Sequence, residues 1–148
     1  MRIVVDASVI LKWVFPSSAA EENTDQALAL LREIRAGTAE LLQPPHWLAE
    51  VAAVMARLHP QLAEPALELL DAMDLPATDD LAVFKRASQI AVNLHHHLFD
   101  TLYHAVAIET DRTLVTADDR YFLKARPLGS IVRLSSWHGS TKPSATAR

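Results

Sequence analysis

The chain has 148 residues, half of them hydrophobic and 22% charged, with a formal net charge of -4 and no cysteine. Such a length suits one domain with a full core, and the lack of cysteine excludes disulfides and zinc–thiolate sites and fits a cytoplasmic setting. No run of ~18 apolar residues is available to span a membrane, and Asp6 interrupts the opening apolar stretch before it can act as a leader.

Ile3, Val4 and Val5 form a short β-branched run, the pattern of a buried strand, and Asp6 ends it. A helix is expected over 7–15, broken by Pro16-Ser17-Ser18. A second helix is expected over 21–35, with Ala27, Leu28, Leu31 and Ile34 as its apolar face and Gly37 as its C-terminal cap. Residues 40–42 read as a short strand. Pro44-Pro45 is expected to open a third helix, because proline is tolerated in a first turn. Trp47, Leu48, Val51, Val54, Met55 and Leu58 then recur at helical spacing until His59-Pro60. Helices over 65–73, 81–94 and 100–110 follow, with a short strand over 75–78. Thr113 to Thr116 is a strand, and a short helix starts at Asp118 or Asp119 and ends before Pro127. Residues 131–134 form a last strand, and the small polar segment 139–148 is expected to be a flexible tail.

Strands that alternate with helices imply a parallel sheet with right-handed crossovers. The fold class is therefore α/β, a three-layer α/β/α domain with a mostly parallel central sheet. It occupies residues 1–138, followed by the tail 139–148.

Four acids stand beside apolar elements. Asp6 and Asp118 lie at the carboxyl ends of two strands, where open α/β sheets bind ligands. Asp100 lies at the start of a helix, and Glu50 at the edge of an apolar helical stripe. Each has a plain structural reading: Asp6, Asp100 and Asp118 as helix caps, Glu50 as a solvated side chain. Jointly they point elsewhere, because converging carboxylates are costly unless a cation joins them. Oxygen ligands suit Mg²⁺ or Mn²⁺. Two such ions about 3.5–4 Å apart can stabilise the attacking and leaving oxygens of a phosphodiester.

Four segments carry a resemblance. They are Val5-Asp6-Ala7-Ser8-Val9 with Lys12-Trp13, Pro45 through Glu50-Val51, Phe99-Asp100-Thr101-Leu102-Tyr103 with Ala105 to Ala107, and Leu114-Val115-Thr116-Ala117-Asp118. In order and spacing the chain resembles a PIN domain, and most closely the VapC-type toxins of bacterial toxin–antitoxin pairs, from Ile3 to about Leu134. The resemblance implies that Asp6, Glu50, Asp100 and Asp118 bind one or two Mg²⁺ or Mn²⁺ ions; the family position matches Asp118, and the choice between it and its neighbour Asp119, a candidate secondary ligand, stays open. These ions activate a water that cuts RNA. Ser8 and Thr116 match hydroxyl residues that orient carboxylates or hold waters. It also implies a homodimer and a VapB-type antitoxin whose tail brings an arginine to the acids, a pairing suited to bidentate contact.

The cations are unevenly placed. Lys85 and Arg86 form a pair, and Arg112, Arg120, Lys124, Arg126 and Arg133 crowd the last third. They read either as solvated surface or as a rim that guides RNA phosphates, with Lys85, Arg112, Arg120, Lys124 and Arg126 as contact candidates. Adjacent histidines at His95-His96-His97 cannot all face one ion, so that triplet is set aside. His104 and Tyr103 read as core or packing residues, and Trp13 and Trp47 as core or dimer contacts.

Two rival readings remain. A non-enzymatic receiver-like domain would need a phosphorylatable aspartate after the third strand and a lysine after the fifth. The candidates are Asp79 or Asp80, and the last strand leads to serines and Trp137 instead of lysine. A PIN nuclease of RNA processing, or one acting on flapped DNA, keeps the fold. The short chain without an appended domain favours the toxin.

Overall fold

The computed structural model describes residues 1–15 and 22–139. Its sheet is built from the β-branched runs: β1 (Arg2–Val5), β2 (Glu40–Leu41), β3 (Thr113–Thr116) and β4 (Ile131–Arg133). All are parallel, in the order β2-β1-β3-β4. Val4 pairs with Leu114 and Val5 with Val115, so β1 and β3 end side by side. Val4, Val5 and Val115 are fully buried and Leu114 is nearly so, as expected for strands covered on both faces.

The helices are α1 (Ala7–Val14), α2 (Thr24–Ala36), α3 (Trp47–Leu58), α4 (Ala63–Ala72), α5 (Leu81–Leu94), α6 (Leu98–Glu109) and α7 (Asp119–Ala125). The chain leaves β1 toward β2 through α1 and α2. It returns to the other side of β1, at β3, through α3 to α6. Right-handed crossovers put helices of these two connections on opposite faces, giving the three-layer α/β/α arrangement. They also make the gap between β1 and β3 the point where strand order reverses, the position at which such sheets bind ligands.

Helix α6 packs on β1 and β3 and is covered outside by α5. Its residues Thr101 to Ala107 are all buried. The Thr101 hydroxyl donates to the Ala87 carbonyl at 2.9 Å and pins α6 to α5. Trp13, Trp47 and Trp137 are buried as well, and Trp13 Nε1 donates to the Ala27 carbonyl at 2.8 Å. Among the described residues no helix is long and apolar enough to cross a membrane.

Several boundaries differ from expectation. Pro44-Pro45 precedes α3 instead of opening it, and His46 is the cap residue. Helix α6 begins at Leu98 after His97, so Asp100 sits in its first turn and is not its cap. The strand expected over 75–78 reduces to one parallel bridge, Gln43 with Ala77. The backbone N–H of Gln43 donates to Pro76 O at 2.8 Å, and that of Thr78 to Gln43 O at 2.9 Å. The buried Gln43 side chain takes the place of a longer β2. Its Oε1 accepts from Val5 N at 2.9 Å, and its Nε2 donates to Val5 O at 2.7 Å. Pro16-Ser17-Ser18, the expected helix start at Glu21, and residues 140–148 of the expected tail lie outside the described residues.

Candidate metal centre

Asp6 occupies the turn from β1 into α1, where its backbone N–H donates to Val115 O at 3.0 Å. Its side chain caps α1 by accepting from Ser8 N at 3.2 Å. The Ser8 hydroxyl donates to the same oxygen, Oδ2, and Thr116 Oγ1 lies 3.4 Å from it. Both hydroxyls also accept: Ser8 Oγ from Ala117 N and Thr116 Oγ1 from Asp118 N, each at 3.0 Å. Ser8 and Thr116 thus tie the end of β1 to the end of β3 and hold one carboxylate rotamer. The bonds that the Asp6 side chain accepts, from Ser8 N, Ser8 Oγ and Thr116 Oγ1, all fall on Oδ2.

Glu50 enters from the first turn of α3 and Asp100 from the first turn of α6. One carboxylate oxygen each from Asp6, Glu50 and Asp100 lie within 4.8 Å of one another. Asp6 is only 9% exposed. Burial pushes its carboxyl up to about 7; the Ser8 hydroxyl bond opposes this, and the neighbouring Glu50 and Asp100 raise it further. The wholly buried Tyr103 phenol faces the same acids. Burial, then Glu50 and Asp6, push its pKa above the usual tyrosine range.

The residues around Glu50 leave polar atoms unspent. His46 Nε2 hydrogen-bonds the Phe99 carbonyl at 2.9 Å, and lies 2.9 Å from Glu50 Oε2 without the alignment of a hydrogen bond. Glu50 Oε2 and His46 Nδ1 are buried without an aligned hydrogen-bond partner, and the Tyr103 phenol lies against Glu50. Orphaned buried polar atoms are costly. Together with three convergent carboxylates, they fit a hard divalent cation and its waters.

The other acids behave differently. Asp118 is the cap of α7, its Oδ1 accepting from Tyr121 N at 3.0 Å. Asp119 is turned outward, 3.1 Å from Arg133 Nε, and lies outside the convergent set. Arg133 also stacks 4.4 Å from the Phe122 ring centre.

The cations are likewise dispersed. Lys124, Arg120 and Arg126 are exposed on α7 or just beyond it, and Lys85 is exposed on α5. Lys124 Nζ reaches His96 Nδ1 at 3.2 Å. Arg112 precedes β3, donates to Thr110 O and feels Arg2 and Glu40, which places it at the amino-terminal edge of the sheet, opposite the acids.

Sequence reasoning passed over His46 and Gln43 and set aside His96. His46 stands four residues before Glu50, and His96 four before Asp100, a spacing that brings side chains together near a helix start. His96 Nε2 donates to Asp100 Oδ2 at 2.7 Å. His104 is a core residue: its Nδ1 lies 3.0 Å from the Tyr121 hydroxyl and its Nε2 2.7 Å from Gly129 O. Burial lowers its pKa.

A doubly covered parallel sheet with three carboxylates in its switch-point crevice defines an α/β domain built like a nuclease that uses divalent metal. Residues 3–127 match the PIN domain family, and the chain belongs to that family. PIN domains are generally metal-dependent nucleases and typically bind divalent metals. No curated protein sequence matches the chain closely.

Proposed function

We propose that this protein is a metal-dependent endoribonuclease acting as the toxin of a toxin–antitoxin pair. One observation carries the catalytic part: Asp6, Glu50 and Asp100 converge at the switch point of a PIN domain. The toxin role is supported by the sequence resemblance over residues 3 to about 134.

Asp6, Glu50 and Asp100 would hold Mg²⁺ or Mn²⁺, one or two ions. Asp118 lies outside the convergent set, its Oδ1 committed to the α7 cap, and takes a lesser, outer part. Asp119 has a lesser part because Arg133 engages it. The bound cation supplies positive charge against the phosphodiester and acidifies water. Ser8 and Thr116 fix the Asp6 carboxylate by holding Oδ2. Lys85, Arg120, Lys124 and Arg126 guide RNA phosphates, while Arg112 at the far edge drops out of that track.

The acids also suit the arginine of an antitoxin tail, since a guanidinium fork pairs bidentately with carboxylate. The active unit in this reading is a cytoplasmic homodimer. Purified protein should cleave RNA with Mg²⁺ or Mn²⁺ and stop in excess EDTA; undiminished cleavage in EDTA would refute the mechanism. Growth arrest on induction, relieved by a small neighbouring reading frame, tests the toxin role.

A further inference from the structure

The loop between α5 and α6 carries three consecutive histidines, and they do not behave alike. His95 caps α5 in the left-handed conformation, φ 50°, its N–H bonded back to the helix. His96 and His97 instead both approach Asp100, with Nε2 atoms 2.7 and 3.7 Å from Oδ2. Their rings stack at 4.6 Å and 25°, nearly parallel. Tyr121 packs at 5.0 Å from the His96 ring and holds it in place.

We propose that His96, His97 and Asp100 form a second cation site, for a borderline transition ion such as Zn²⁺ or Ni²⁺. The donor set differs in kind from the oxygen-only centre beside it. Two imidazoles and one carboxylate select zinc, nickel or cobalt over magnesium. One donor atom from each of the three residues lies within 4.8 Å of the others. Tetrahedral ligands at ~2.05 Å from zinc stand about 3.3 Å apart, and the two observed separations, 2.7 and 3.7 Å, straddle that value. Closing the site requires the two imidazoles to turn out of their stack so that both Nε2 lone pairs meet at one point beside Asp100.

One further rearrangement is required. Lys124 Nζ, at 3.2 Å, takes the Nδ1 lone pair of His96, which assigns the ring proton to Nε2. A metal at Nε2 needs the proton on Nδ1, so Lys124 must turn outward, and its side chain is exposed. His97, 72% exposed, gives an ion direct access from solvent.

Because Asp100 belongs to both donor sets, an ion held by the histidines competes for a carboxylate of the catalytic centre. Zinc at this site would then inhibit cleavage, a consequence that rests on the proposed nuclease function. The site itself is tested without catalysis. Co²⁺, a spectroscopic stand-in for zinc, is titrated into the whole protein in excess Mg²⁺, and the visible absorption of tetrahedral cobalt is followed. Wild type and His95→Gln should show the same saturable band. His96→Gln, His97→Gln and Asp100→Asn should each weaken cobalt binding at least ~10-fold, with circular dichroism confirming that each variant is folded. Equal weakening in His95→Gln would reduce the effect to capture by a histidine run. An unchanged titration in His96→Gln and His97→Gln would overturn the site. Neither result depends on whether RNA is cut, so failure of the site and failure of the nuclease function are separable.

Discussion

At the end of β1, Asp6 is buried, its carboxyl raised to about 7, and it faces the carboxylates of Glu50 and Asp100, which lie beside the imidazoles of His46 and His96. At the start of α7, only two positions beyond Thr116, Asp118 is spent on a helix cap and Asp119 on Arg133. Both regions crowd acids at the same edge of the sheet. The second engages them locally, Asp118 with a backbone N–H and Asp119 in an ion pair with a guanidinium. The first leaves three carboxylates convergent, with Asp6 desolvated and Glu50 and Asp100 part-buried. Acidic residue type is therefore a weak guide to function, and what each carboxylate already binds is a stronger one.

The contrast can be broken by charge removal. Asp6→Asn and Asp100→Asn are expected to reduce RNA cleavage by about 10³-fold or more, the upper scale for losing one electrostatic group at a reacting centre. Asp118→Asn, which keeps a cap acceptor, should cost far less. Initial rates under saturating Mg²⁺ decide this, and equal losses at the three positions would erase the distinction between the regions.

Stability sharpens the comparison next. A carboxyl whose folded pKa is raised above its ordinary 3.8 favours the folded state only while protonated. Metal-free protein should therefore lose stability as pH rises from about 4 to about 7 and level off above that. The loss attributable to Asp6 is on the order of 4 kcal/mol. Asp6→Asn should flatten this slope, and Mg²⁺ should raise Tm more at pH 8 than at pH 5. Denaturant unfolding of both proteins across that range provides the measurement.

The cap region predicts a smaller change. Asp118→Ala removes an α7 cap and should destabilise by ~1 kcal/mol, whereas Asp118→Asn should be near neutral. Smallest of all is Arg133→Met, which breaks a part-exposed pair with Asp119 and the stacking on Phe122, and should cost less than ~1 kcal/mol. If it were as damaging as Asp118→Ala, Arg133 would be anchoring more than Asp119 and Phe122.

Much of this was legible in the chain. Ile3-Val4-Val5 followed by Asp6 reads as a strand with an acid at its carboxyl end, and the structure places it there. Glu50 and Asp100 stand out because a carboxylate interrupts an apolar period. The start of α6 was not legible: Asp100 resembles a cap, but Leu98 and Phe99 continue the helix backward to His97. Asp119 was also ambiguous, since only the fold brings Arg133, fourteen positions later, beside it. Arg112 looked like part of a basic cluster until strand direction put it at the opposite edge. Gln43 gave little sign that its amide would extend the sheet.

The sequence by itself determined the elements, because apolar periodicity and turn residues act over a few positions. It also determined the inventory of carboxylates, and that oxygen and imidazole, never thiolate, would be the available ligands. Tertiary structure alone decided which of these groups meet. Thr116 reaches Asp6 across 110 positions because β1 and β3 pair at the switch point. Glu50 and Asp100 join them because α3 and α6 both begin at that edge. Convergence of this kind depends on strand order and helix packing, which are set by the burial of the whole core and not by any local pattern.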